Sequence, residues 1–226
     1  MAVFTAPPNQ NGLVLDQGDL LLVEHQGLAT NTVINAGGRE DVVHGGVSDH
    51  TTINVLGVER VDQFSSSDNT VIHRGGREIV QGVSNHTDIM GGREIVEGSG
   101  RANDTTIGNS GRLEVLYGAS VAHNVTFADQ SRNSIELSNP NRLTGTITNW
   151  HVGDFVDLLD TRATSVSEHG NVLTVTYEVG RNSRQVTYTL ADQQPDTHFA
   201  LRNDGHGGTD IVLVAGVQPH HHDFLF

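Results

Sequence analysis

The feature that most constrains the fold of this chain is a repeat of about 19 residues. Similar segments open at a glycine in five copies, and Asp19 opens a degenerate first copy. The opening glycines are Gly38, Gly57, Gly76, Gly92 and Gly111, at steps of 19 residues except for one of 16. Four residues into the units stand Val23, Val42, Val61, Val80, Val96 and Val115, and a Thr-x-Ile sequence closes most of them. Two apolar columns at a fixed step predict a repeat architecture.

The length and pattern of the unit favour strands over helices. Each unit has two short β-branched segments separated by Gly, Ser, Asn and Asp, which is typical of strands and turns. A 19-residue unit is too short for a helical pair or a propeller blade. We therefore predict an all-β parallel β-helix, or β-solenoid, of about six coils over residues 19–129, whose valines and isoleucines form one shared core. Residues 1–18 are predicted to be an N-terminal segment or cap, and we place the residues missing from the short unit in its turns.

The repeat stops after Asn139-Pro140, and a different β region follows. Strand-like runs occur at Leu143–Ile147, Phe155–Leu159, Val172–Tyr177, Val186–Leu190, Phe199–Leu201 and Ile211–Val214. We predict that residues 130–215 form a β-strand cap domain on the open end of the solenoid, where unpaired strand edges would otherwise be exposed. Residues 216–226 are assigned as a tail.

Polar residues recur twelve positions after the opening residue. They are Asn31, His50, Asn69, His86, Asp104 and His123. Such residues tolerate left-handed backbone, so we predict that they lie in turns. The alternative is that the histidines among them are metal ligands. His25 and His44 share another column, which we also predict to lie at the surface.

A charged column follows the opening glycines. Its members are Glu40, Glu59, Glu78 and Glu94, and Arg39, Arg77 and Arg93 precede three of them. Neighbours on a strand point to opposite faces, so Arg and Glu either alternate across the wall or lie along a turn. We predict a solvent-exposed surface ladder of both charges. The alternative is a row that binds a cation or performs acid–base chemistry.

Composition excludes several classes of protein. The net charge of −14 argues against a nucleic-acid partner, which would require a basic face. The chain has no cysteine, hence no disulfide or thiolate site. No apolar run is long enough to predict a membrane span, and no Sec-type signal is visible at the N-terminus.

The repeat resembles the AIDA-type repeat of bacterial autotransporter adhesins. The resemblance rests on INAGGREDVVHGGVSDHTTIN (Ile34–Asn54) and VIHRGGREIVQGVSNHTDIMGGREIVEG (Val71–Gly98), and covers about residues 19–129. It implies a β-helix outside a Gram-negative cell that acts in adhesion, autoaggregation or biofilm. It also implies candidates for hydroxyl glycosylation, although these can equally be β-branched strand residues: Thr51, Thr70, Thr87 and Thr105. The Sec signal and C-terminal barrel of that family are not visible in this chain.

The C-terminal third resembles the terminal β region of type I secreted repeats-in-toxin proteins. The similar segments are GTITNWHVGDFVDLL (Gly145–Leu159) and NDGHGGTDIVLV (Asn203–Val214), and Asp223–Phe226 resembles their export signal. Calcium is the cofactor that this resemblance raises. The candidate ligands are Asp204, Asp210, Asp154 and Asp157. The alternative is that the glycines after Asp204 form a hairpin turn, and we assign no role to His220–His222.

The coils carry few aromatic residues, no long insertion and no recognisable nucleophile–base pair, so we do not expect an enzyme. We predict a secreted or cell-surface structural protein acting in adhesion, self-association or a biofilm matrix. Its partner would be a cell surface, an extracellular polysaccharide or a second copy. No cofactor is required, although calcium is possible. One alternative is a polysaccharide lyase or hydrolase built on the same fold. Another is a passive spacer or carrier region of a larger type I secreted protein.

Overall fold

The computed structural model describes residues 1–118, 120–192 and 194–216. The predicted export signal at Asp223–Phe226 and the histidines at 220–222 lie outside the described residues. None of the described residues belongs to a helix long and apolar enough to cross a membrane.

The chain winds into coils, and each coil contributes one strand to a long first wall. Its strands run parallel to one another because each coil repeats the path of the previous one. The first wall contains β1 (Val3–Ala6), β4 (Leu20–Val23), β7 (Arg39–Val42), β10 (Val58–Val61), β13 (Arg77–Val80), β16 (Arg93–Gly98), β18 (Arg112–Gly118), β20 (Ser134–Leu137) and β22 (Phe155–Leu158).

Two further walls complete each coil. The second wall contains β2 (Gln10–Asn11), β5 (Leu28–Thr30), β8 (Val47–Asp49), β11 (Ser66–Asp68) and β14 (Val83–Asn85). The third contains β3 (Val14–Leu15), β6 (Val33–Ile34), β9 (Thr52–Ile53), β12 (Val71–His73) and β15 (Asp88–Met90). From coil six onward, single strands span both walls: β17 (Arg101–Gly108), β19 (Val121–Phe127) and β21 (Leu143–Thr148).

The parallel register places like residues on like residues. Val42, Val61 and Val80 are aligned on neighbouring strands of the first wall and are fully buried. The isoleucines of the Thr-x-Ile sequences form a second buried column on the third wall, from Ile34 to Ile107. No single coil encloses these side chains, so the core exists only through stacking. The predicted β-solenoid is therefore confirmed.

The corners between walls two and three also agree with the sequence analysis. A turn row of residues with positive φ runs along the solenoid, with φ between 53° and 58°: Asn31, His50, Asn69, His86, Asp104 and Asn124. In coil seven Asn124, and not the predicted His123, has this conformation. The short unit loses its residues at corners, because only Gln81 and Gly82 separate β13 from β14.

The solenoid has about eight coils, two more than the repeat predicts. Residues 3–15 were expected to be a cap, but β1 pairs in parallel register with β4, so they form the first coil. A further coil of β20 and β21 follows residue 129. Both escape detection because they pair at steps other than 19 and lack the opening glycine.

The C-terminal region closes the solenoid with antiparallel strands. It contains β23 (Ala163–His169), β24 (Val172–Val179), β25 (Asn182–Leu190), β26 (Thr197–Asn203) and β27 (Thr209–Ala215), and a short 3-10 turn spans Pro140–Arg142. β25 joins β21 and β27 joins β22, so each wall continues into the cap. Trp150 packs between Phe127 of coil seven and Phe199 of β26, at ring-centroid distances of 5.7 and 5.0 Å. The six predicted strand-like runs all overlap strands of this region.

Candidate functional site

The glutamates of the charged column lie inside the solenoid, which corrects the predicted surface ladder. Glu40, Glu59, Glu78 and Glu94, here called the carboxyl row, have no solvent-exposed surface and are in register on neighbouring first-wall strands. The arginines that precede them do point outward: Arg39 and Arg77 are exposed and Arg93 is half-buried. The physical reason is strand alternation, which places each Glu on the same face as the core valine two residues later.

Hydroxyl groups from the other two walls face the carboxyl row. Ser67 Oγ donates to Glu78 Oε1 at 2.6 Å, and Thr105 Oγ1 donates to Glu94 Oε2 at 3.1 Å. Thr70 Oγ1 donates to Glu59 Oε2 at 3.3 Å. Each of these hydroxyls is itself buried. The interior of coils three to six is therefore a hydrogen-bonded polar column within an apolar core.

Burial controls the protonation of the carboxyl row. It raises the pKa of Glu40 to about 7. Burial, followed by repulsion from Glu78, raises the pKa of Glu94 well above its ordinary value, and for Glu59 repulsion from both neighbours in the row adds to burial and raises the pKa likewise. Burial also raises the pKa of Glu78. No Lys, Arg or His is buried among the described residues, so the row has no enclosed cation to balance it. The neutral acid is the form that fits this interior.

Apolar residues terminate the carboxyl row at both ends. Leu21 precedes Glu40 in the register and Leu113 follows Glu94. The serine column changes in parallel, since Ala29 precedes Ser48 and Ala102 follows Ser84. Carboxyl and hydroxyl groups thus occur in the same coils. The sequence already contained this signal: glutamate lies two residues before a core valine, and serine accompanies it in three units.

The threonines considered for glycosylation are interior residues. Thr51, Thr70, Thr87 and Thr105 are at most 1% exposed. Thr51, for example, lies 2.7 Å from Ser48 through their hydroxyl oxygens. A glycosyltransferase cannot reach these hydroxyls in the folded coil. The alternative interpretation, a β-branched strand residue, therefore holds for all four.

The four aspartates considered for calcium do not form one cluster. Asp154 is fully buried and accepts from the backbone N–H groups of Asn133 and His151 at 2.9 and 3.1 Å. Asp210 accepts from Arg202 Nη2 at 2.7 Å. Asp204 caps the turn between β26 and β27, where its Oδ1 accepts from His206 N at 2.7 Å. The glycines after Asp204 therefore belong to a hairpin turn, as the alternative had it.

Asp157 is the calcium candidate with the least satisfied carboxylate. It is in register with Glu136 on one side and Asp210 on the other. Burial, followed by repulsion from Asp210, Asp204 and Glu136, raises the pKa of Asp157 to about 6. Arg112 and Arg202 line the same surface depression, and Arg112 Nη1 lies 2.7 Å from Glu136 Oε1. This surface is a mixed network of both charges, which supplies guanidinium groups where calcium would need further oxygen ligands.

A polar groove of about 520 Å³ runs along the turn row. It crosses coils three to seven and is lined by His50, Asn69, His86, Asp104 and Asn124 from the turns, and by Val71, Asp88, Thr106 and Thr126 from the third wall. Its lining is fixed by bonds between coils, such as Asn69 Nδ2 to Asp49 Oδ1 at 3.0 Å and Asn124 Nδ2 to Asp104 Oδ1 at 2.9 Å. The hydrogen bond with Asp68 raises the pKa of His86.

Histidines also meet at the corner between walls one and two. His25 and His44 are exposed, as predicted, and their rings stack at a centroid distance of 5.7 Å. Glu24 lies beside them, with Oε2 3.5 Å from His25 Nδ1 and 3.8 Å from His44 Nδ1. The sequence showed the histidine column but not that a carboxylate completes it.

The fold defines this chain as a β-solenoid repeat protein. Among solved structures, it is similar to a crystal structure of a hyper-glycosylated fragment of TibA (residues 55–350), whose glycosylation is catalysed by TibC. The TM-score is 0.50 and the identity 24%, over 68% of this chain and 62% of that one, so the chain spans less than two thirds of that fragment. No protein-family model and no curated protein matches the chain.

Proposed function

We propose that this chain is an extracellular, non-catalytic adhesion scaffold that binds an extended polymer in the groove along its turn row. The observation that carries the proposal is the repetition of polar groups along that groove, from His50 in coil three to Asn124 in coil seven. Neighbouring coils are about 4.8 Å apart, so the groove offers similar hydrogen-bonding groups at short, regular steps. Such a surface suits a long ligand with repeated hydroxyl groups, and an extracellular polysaccharide has that chemistry.

The rigidity of the groove supports a binding role. Its side chains are held by hydrogen bonds between coils, including the 2.8 Å contact between His86 Nδ1 and Asp68 Oδ1. A surface that is ordered before binding loses less conformational entropy when a ligand arrives. The many weak contacts of successive coils would then add along one polymer chain.

One observation favours the alternative of a polysaccharide-active enzyme. Two carboxylates, Asp88 and Asp104, line the groove, and glycoside hydrolysis generally uses a pair of carboxylates. The four glutamates of the carboxyl row are enclosed by the walls and do not reach this surface. Catalysis would therefore depend on the two aspartates of the groove.

Attachment by the purified protein tests the adhesion proposal. Beads coated with the chain are incubated with cells and with immobilised surface polysaccharides, and retained beads are counted. Thr106→Arg fills the centre of the groove, and Thr187→Arg makes the same change at an exposed position in the cap. We expect the groove variant to lower attachment about tenfold and the cap variant to leave it unchanged. Equal attachment by both variants would contradict a binding role for the groove.

The same material separates the other functions. Incubation with acidic and neutral polysaccharides is followed by assays for reducing ends and unsaturated uronides, with Asp88→Asn and Asp104→Asn as controls. Product that disappears in these variants would replace adhesion by catalysis. Attachment of coated beads to one another, without any polysaccharide, would replace the polymer by a second copy of the chain. Failure of all three assays would leave the role of a spacer.

A further inference from the structure

Glu24, His25 and His44 converge at one corner of the solenoid. Glu24 and His25 belong to coil two and His44 to coil three. Each side chain offers one ligand atom, and the three atoms all lie within 4.8 Å of one another. Among the described residues, these are the His, Asp and Glu side chains that meet in this way. The cluster is far along the chain from the calcium candidates and plays no part in the polymer groove.

The backbone holds this cluster in place. Each of the two corners is closed by a hydrogen bond, from Gly27 N to Glu24 O at 2.7 Å and from Gly46 N to Val43 O at 2.9 Å. Both histidines have φ near 50°, so their side chains leave the two corners in the same direction. The glycines that end these turns pack against the preceding coil: a Cβ at Gly46 would lie 2.2 Å from Val23 O. Stacking of two closed corners therefore fixes the separation of the histidines.

We propose that Glu24, His25 and His44 bind one zinc ion that bridges coils two and three. Two imidazoles and one carboxylate form a ligand set that suits zinc and lacks the many oxygens that calcium requires. Zinc–ligand bonds of about 2.0–2.1 Å require the three ligand atoms to approach one another by about 1 Å or less. The imidazoles can make this movement because they are about 70% exposed. Three protein ligands leave a fourth position for water.

Zinc binding to the full chain tests this site. The three histidines of the tail are replaced by alanine in every protein, so that His220–His222 do not contribute. Isothermal titration with zinc chloride at pH 7.5, together with metal analysis after dialysis, gives the stoichiometry and affinity. We expect one zinc ion per chain, and we expect E24Q to weaken its binding about tenfold or more. A parent protein that binds no zinc would overturn the proposal.

A matched pair of double variants separates this site from other imidazoles. H25N/H44N removes two exposed imidazoles with φ near 50°, and H50N/H86N removes two with φ of 56° and 53°. Asparagine tolerates this conformation, so both variants should keep the fold, which circular dichroism checks. We expect zinc binding to disappear in H25N/H44N and to persist in H50N/H86N. Retention in the first variant, or equal loss in both, would overturn the proposal.

Thermal unfolding gives a second readout that does not depend on counting bound metal. An ion that binds only the folded state raises the unfolding temperature. We expect zinc to raise it in the parent and in H50N/H86N, and to have no effect in H25N/H44N. Binding should also weaken below about pH 6, because protons compete with the metal for imidazole. A zinc-dependent shift of the same size in H25N/H44N would overturn the assignment.

Discussion

Coils three to six and the coils that follow them share one backbone path but differ in what fills it. In the first wall, Glu40, Glu59, Glu78 and Glu94 occupy the same inward column that Leu113, Ile135 and Val156 occupy further along. All of these side chains are fully buried. The comparison teaches that this fold accepts either hydrocarbon or hydrogen-bonded acid in its interior. The acid is accepted only where serine and threonine from the other walls accompany it.

The largest effect should come from moving a carboxyl group into the apolar coils. In Ile135→Glu, the new side chain would meet Leu113 and Val156 instead of serine and threonine. We expect the free energy of unfolding to fall by about 4 kcal/mol, since a buried polar group without partners carries its full desolvation cost. Urea unfolding measures the change, and Ile135→Leu is the control. A loss below about 1 kcal/mol would show that the hydroxyl partners are dispensable.

The next largest effect concerns pH and belongs only to the acid-filled coils. Glu40 has an ordinary pKa of 4.5 and a folded-state pKa of about 7, so the folded protein holds a proton that the unfolded chain releases between these values. Stability from this group is fully present below pH 4.5 and is lost as pH rises through about 7. We expect a loss on the order of 3 kcal/mol by pH 9 from Glu40. Its three neighbours add to this loss in the same direction.

Urea unfolding at pH 5 and pH 9 measures this dependence, and Glu40→Gln is the matched variant. Glutamine keeps the shape of the side chain but does not titrate, so we expect the variant to lose less stability between the two pH values. An equal loss in both proteins would indicate that Glu40 is already ionised in the folded state, contrary to its environment.

A smaller effect should distinguish two adjacent residues of β13. Glu78 points inward and accepts from Ser67 at 2.6 Å, whereas Arg77 is exposed. We expect Glu78→Ala to cost about 2 kcal/mol, because it leaves a buried hydroxyl without its acceptor and opens a cavity. Arg77→Ala should change stability by less than about 0.5 kcal/mol. Equal losses, measured by thermal unfolding, would contradict the inward orientation of the carboxyl row.

The smallest change is expected when a whole polar unit is replaced. In Glu59→Leu with Thr70→Val, the acid and its hydroxyl donor are removed together, so coil four resembles the apolar coils. We expect the stability at pH 7 to change by less than about 1 kcal/mol, because both partners disappear and neither is left unpaired. Glu59→Leu alone should be less stable than the double variant. The reverse order would show that the two groups do not act as a pair.

Particular residues show how far sequence patterns could lead. The valine column, the Thr-x-Ile column and the positive-φ turn row were read correctly because each depends on a local rule that repeats. The strands of the cap were also placed, from their apolar runs. The surface position predicted for the glutamates was wrong, because charge was weighed above strand alternation. The cost of burying Glu78 depends on Ser67, which is eleven residues away in the chain, and a residue-by-residue reading does not include such a partner.

The sequence by itself determined the winding of this protein, since a step of 19 residues with β-branched columns and turn residues between them permits one stacked ribbon and few alternatives. It also determined that Arg and Glu of the charged column face opposite ways. Only the tertiary structure decided which of the two is inside, where the first and last coils lie, and that Glu24 completes a pair of histidines. The physical reason is that burial of a polar group depends on partners from other walls, and these become neighbours only when the coils close.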